Sequence, residues 1–86
     1  MTRSEQLDKV KDSLNIRGTA LDDTLLIFLD EVKYYMAAAG TSDTILESEL
    51  AIGCIARGVS DLYLDGEFSR YFYQRVSQLS ISASEV

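Results

Sequence analysis

The chain has 86 residues, 47% of them apolar, and fourteen acids against eight bases give a formal net charge of −6. Histidine, tryptophan and proline are absent and cysteine occurs once, which removes the commonest metal ligand, the commonest general base and any internal disulfide. A domain of this length hides only about 60–65% of its unfolded surface, a thin margin that oligomerisation commonly repairs.

Taken in order, the chain reads as one all-α domain over 1–86, because apolar residues recur at i, i+3 and i+4 and nothing breaks the helices but a few glycines. Thr2 followed by Glu5 fits a capping box that opens a first helix to about Leu14, with Leu7, Val10 and Leu14 as its stripe. The run Asn15–Gly18 ends it, and Thr19 offers an N-cap with Asp22 and Asp23 in the first turn, where negative charge suits the helix dipole.

The second helix is expected over Ala20–Ala39, stopped by Gly40. Leu21, Leu25, Phe28, Leu29, Val32, Tyr35 and Met36 fall within roughly 120° of arc, which is the face for a core. Ile27, Tyr34 and Ala38 lie opposite. They are either scattered surface apolars, which are normal, or a contact surface for another subunit.

Thr41–Thr44 is a polar connector, and a third helix starts between Thr44 and Ser48 and runs to about Leu64. Its apolar arc is unusually broad: Ala51, Ile52, Ile55, Ala56, Val59, Leu62 and Tyr63, widened by Leu50 and Cys54. So wide a face predicts a long central helix touched from several directions. Asp65–Gly66 ends it, Ser69 caps a fourth helix carrying Tyr71, Phe72, Val76 and Leu79, and Ser80–Val86 reads as a frayed tail or a short extended C-terminal arm. The expected architecture is therefore a small four-helix domain built round that central helix.

No catalytic constellation emerges, and no cofactor or metal is expected. Without histidine, or a lysine close to a candidate serine, no serine has an evident activating base. Cys54 sits in the apolar helix as a buried, inert thiol. Asp61, Asp65 and Glu67 lack the alternating ligand loop of a calcium hand. Arg57 and Asp61, at i and i+4, most simply form a helix-surface ion pair. The Ile55–Ser60 stretch looks like the turn of a helix-turn-helix, but the following helix would present Asp61 and Asp65 to phosphates, and its apolar phase never breaks. No window approaches the ~18 uninterrupted apolar residues of a membrane span, and the opening MTRSEQLDKV has no signal-peptide core, so a reducing cytosol is the expected setting. Phe68 and Phe72 are core candidates. Tyr71 and Tyr73 cannot both share that core, so at least one is exposed or at an interface.

Three segments carry a resemblance: Val10–Ile16 followed by Leu21–Leu26; Tyr34-Tyr35-Met36 before Ala39-Gly40; and Val59–Tyr63, Gly66, then Phe72–Ser80. Their order and spacing resemble the small head–tail connector (adaptor) proteins of tailed bacteriophages, which sit beneath the portal. The resemblance implies a non-enzymatic virion protein of the phage neck, present in the host cytoplasm before assembly. It implies a homo-oligomeric ring matched to the dodecameric portal, touching the portal protein on one side and a tail-side connector or stopper on the other. DNA would pass through the lumen without specific binding, and an acidic lumen suits that by repelling phosphates. A ring needs a head-to-tail contact between two different patches. The candidates are Ile27 and Tyr34 on the second helix, and Tyr71, Tyr73 and Arg75 on the fourth. The alternative is a small acidic regulator or DNA mimic that occupies a protein partner, although its acids are scattered among Asp8, Asp12, Asp22, Asp23, Glu31 and Glu47.

Overall fold

A computed structural model of the chain describes the backbone of residues 1–84 and the side chains through Ser80. Among the described residues there are five α-helices, one 3-10 turn and no strand. The helices are α1 (Arg3–Leu14), α2 (Asp22–Ala38), α3 (Asp43–Leu46), α4 (Ile52–Leu64) and α5 (Arg70–Ser84), with the 3-10 turn Glu49–Ala51 leading into α4.

The first helix forms as its sequence predicts. The Thr2 side chain accepts from the Glu5 N–H at 3.1 Å, and the Glu5 carboxylate accepts from the Thr2 N–H at 2.9 Å. At the far end Asn15 takes a left-handed conformation, φ 56°, so the Ile16 N–H reaches back to the Lys11 carbonyl at 2.9 Å. The second helix differs at its start. Thr19 lends only its backbone carbonyl to the Asp22 N–H, at 3.1 Å, and no side chain caps the helix. Lys11 takes up the polar work there, bonding the Asp22 carboxylate at 2.7 Å and also the Gly18 carbonyl.

The long third helix predicted from Thr44–Ser48 to Leu64 is divided. Ser42 caps α3, accepting from the Ile45 N–H at 3.2 Å, and Ser48 caps the 3-10 turn, accepting from the Leu50 N–H at 3.2 Å. Ser48 has extended backbone angles, φ −95° and ψ 165°, which no helix can run through. Two good capping residues six apart thus make two starts instead of one. The central helix is consequently α4, 13 residues long against 17 for α2. It is central without being long, because it packs on α1, α2 and α5. Five helices replace the expected four.

The C-terminal expectation is also corrected as far as the chain is described. Through Ser84 the chain is helical instead of extended. Ser80 helps, donating to the Val76 and Ala39 carbonyls at 3.0 and 3.2 Å and lying 3.3 Å from the buried Thr41 hydroxyl. Gly40, at φ +105°, turns the end of α2 past this contact. Glu85 and Val86, the end of the proposed arm, lie outside the described residues.

One continuous core joins the helices: Leu7 and Val10 from α1, Leu25, Leu29, Val32 and Met36 from α2, Cys54, Ile55 and Val59 from α4, and Phe72 and Val76 from α5. The predicted stripes of α1 and α2 supply these residues directly. Gln6 is the polar member that the stripes did not include. It is fully buried, donates to the Leu46 carbonyl at 2.8 Å and accepts from Lys33 at 2.9 Å, so both ends of its amide are satisfied. That amide ties α1 to α3 and α2.

Candidate functional site

The outward face of α2 is the first candidate surface. Ile27 is 65% exposed and Tyr34 79%, and their spacing of seven residues places them on one line along the helix. Asp23, Asp30 and Glu31 are exposed around them. Arg3 reaches Asp30 as a two-point pair, at 3.0 and 2.7 Å. That guanidinium, chiefly through its hydrogen bonds, holds the Asp30 carboxyl below the usual carboxylate range. Lys33 points the other way, to Gln6 and to Glu47 at 3.0 Å.

The second candidate patch, Tyr71, Tyr73 and Arg75, does not survive as one surface. Tyr71 and Tyr73 are both exposed, but they flank α5 on opposite sides, as two residues on a helix must at about 100° each. Tyr73 leans on the α2 side, with ring centroids 5.6 Å from Tyr35 and 6.0 Å from Phe68. Tyr71 faces the α4 side, where the Arg57 guanidinium lies 5.1 Å from its ring centroid. Arg75 is half-buried and donates to Gln78 at 3.0 Å. Helical geometry separates Tyr73 from the other two, while Arg75, four residues on from Tyr71, stays on the Tyr71 side of α5.

A different surface takes that patch's place. Gly53, Arg57 and Leu64 lie along the outward side of α4, with Leu64 69% exposed and open space beside Gly53. Tyr71 of α5 covers Arg57, and Arg70 is exposed at the start of α5. The pairing of Arg57 with Tyr71 joins residues fourteen apart on two helices, so no periodicity could reveal it. Leu50, assigned to the apolar arc, is 67% exposed because it belongs to the 3-10 turn and not to α4.

Asp61 is the largest departure from the expected chemistry. The expected i, i+4 ion pair with Arg57 forms, but its acid end is buried, Asp61 being 3% exposed, so the pair is not a surface one on both sides. One carboxylate oxygen accepts from Arg57 at 3.0 Å, and the other accepts from the Ser69 N–H at 3.0 Å and hydroxyl at 2.7 Å. The Ser69 hydroxyl in turn accepts from the Phe72 N–H at 3.2 Å, which caps α5 as the sequence predicts. Asp65 and Glu67 remain exposed in the connection. Cys54 is buried as expected, and burial pushes its thiol up to about 11.

Among the described residues there is no cavity and no cluster of three potential metal ligands, and no helix is long and apolar enough to cross a membrane. What the arrangement offers is surface: two uncovered faces, one acidic with large apolar residues and one carrying arginine and tyrosine. Comparison of the chain with protein-family models, curated proteins and solved structures found no match.

Proposed function

We propose that the chain is a structural subunit of a phage head–tail neck, assembling into a ring between portal and tail that extends the DNA channel. The observation that carries this reading is the placement of large apolar side chains on two different outward faces of a small bundle: Ile27 and Tyr34 on α2, and Leu64 and Tyr71 on the α4–α5 side. A head-to-tail ring joins two unlike patches, whereas a two-fold dimer uses one patch twice. The order of sequence motifs, which resembles the phage connectors, supplies the setting. The net charge of −6 fits a conduit that DNA must slip through without sticking. Four acids, Asp22, Asp30, Glu47 and Asp61, are engaged by bases within the fold, which leaves fewer for an acidic decoy of DNA.

Mass measurement of the intact protein, alone and with the portal protein of its own virus, tests the proposal. The expected result is a ring, alone or on the portal, with no change in mass when duplex DNA is added. A strictly monomeric species that joins neither portal nor tail components sinks it.

A further inference from the structure

We infer that the contact between neighbouring copies of this chain is electrostatically keyed, with the acidic outward face of α2 on one copy meeting the arginine–tyrosine face of α4 and α5 on the next. The inference rests on the assembly reading above and names its self-contact. The α2 face carries Asp23, Asp30 and Glu31 around Ile27 and Tyr34; Arg3 of α1 reaches onto it and pairs with Asp30, leaving Asp23 and Glu31 without an ion-pair partner among the described residues. The opposing face carries Arg57 and Arg70 around Tyr71 and Leu64. Its helices contain one acid, Asp61, which is buried beneath Arg57, while Asp65 and Glu67 bound the face at its loop end. α5 has no acid over Arg70–Ser84, in a chain where acids outnumber bases.

Each face has the composition of an interface core with a charged rim, a tyrosine and an aliphatic residue at the centre: the α2 rim is acidic on balance, with Arg3 offsetting Asp30, and the other rim carries Arg57 and Arg70 away from Asp65 and Glu67 at its loop end. The signs are opposite. Two copies of the α2 face would set the unpaired Asp23 and Glu31 against their like, so a two-fold pairing through α2 is disfavoured. Acid to arginine is the favourable arrangement. Because the two faces differ, the contact propagates head to tail and closes when the rotation between copies allows. Tyr34 would lie against Leu64 or Tyr71, and Glu31 within reach of Arg70. Tyr73, on the other flank of α5, is outside this contact.

A charge-swap experiment decides it, using Glu31→Arg, Arg70→Glu and the double variant. Neither side chain makes a hydrogen bond or ion pair among the described residues, so helical content by circular dichroism should stay at the wild-type value. The readout is the mass distribution against protein and salt concentration, taken on whichever assembled species the wild type forms. Each single variant should weaken assembly by about tenfold or more at low salt, and the double variant should recover most of that loss. Wild-type assembly should itself weaken as salt rises. Singles that assemble as wild type does, or a folded double that stays as weak as the singles, overturn the pairing while leaving the ring reading intact. Loss of portal capture with self-assembly unchanged assigns the α2 face to the portal and also overturns it. A wild type that never assembles, even with portal, removes the ring reading and this inference together.

Discussion

Asp61 and Ser69 hold each other across the α4–α5 connection, the buried carboxylate accepting both the Ser69 N–H, at 3.0 Å, and its hydroxyl, at 2.7 Å. Ser69 then caps α5, so one buried acid sets where the last helix begins. An acid with two protein donors and a partly exposed arginine is tolerated in the interior because its charge is fully bonded.

Removing that acid should be costly. Asp61→Ala leaves the Ser69 N–H without its partner and is expected to destabilise by about 2–4 kcal/mol, whereas Ser69→Ala loses the cap and one donor to Asp61 but keeps the Ser69 N–H and Arg57 on the carboxylate, and should cost about 1–2 kcal/mol. Urea denaturation of the two variants checks the order. Equal costs would mean that Asp61 contributes no more than the cap.

The two glycines of α4 provide an internal control. A Cβ at Gly58 would come 2.6 Å from Phe72 Cε1 and 2.9 Å from both Val32 methyls, so neither the ring nor a valine rotamer offers escape. Gly58→Ala should therefore destabilise by about 1–3 kcal/mol through overpacking, against the usual gain from alanine in a helix. Gly53 has nothing within 4 Å, and Gly53→Ala should be neutral or stabilising by up to about 1 kcal/mol. Thermal unfolding of both variants reads the sign of each change.

Cys54 should be silent in the folded protein. Raising the thiol from 9.0 to about 11 lowers its thiolate fraction about a hundredfold at neutral pH, and burial excludes the reagent as well. A colourimetric thiol reagent at pH 8 should label it only after denaturant is added. Rapid labelling of native protein would contradict the burial.

The Asp30–Arg3 pair gives a small acid-side dependence of stability. Because Arg3 lowers the folded value of Asp30 below 3.8, the pair's contribution is present above that unfolded value and is lost as pH falls through the lower, folded value. Both side chains are about half exposed, so solvent screening keeps the effect small. The stability gap between wild type and Asp30→Asn should shrink between pH 6 and about pH 3. A gap that widens toward acid would reverse the sign.

Tyr34→Glu separates fold from assembly. The side chain is 79% exposed, so the change should alter stability by no more than about 0.5 kcal/mol. On the proposed contact it replaces the apolar centre of the α2 face with a charge set against Leu64 and Tyr71, a desolvation cost that should prevent assembly. Unchanged assembly by mass would put Tyr34 on open surface.

Helical repeat and capping residues are enough to show that the domain is helical, where α1 and α2 bury their faces, where Asp65–Gly66 breaks the chain and that Cys54 lies inside. These are local properties: periodicity selects a face, and caps and glycines select ends. Ile27 and Tyr34 are also placed opposite the buried stripe of α2, since that needs only the helical repeat. Tertiary structure alone decided the rest. Asp61 reads as polar surface until Ser69 folds back to meet it. Gly58 gives the Ile55–Ser60 stretch its likeness to a helix-turn-helix turn, and its packing role appears only when Phe72 and Val32 occupy the space that a side chain would need. Tyr71 and Tyr73 read as one patch until the docking of α5 sends one toward Arg57 and the other toward Tyr35. The difference is that helical repeat and capping act over a few residues, whereas burial of a charge, close approach and the company of a side chain depend on residues brought together from distant parts of the chain.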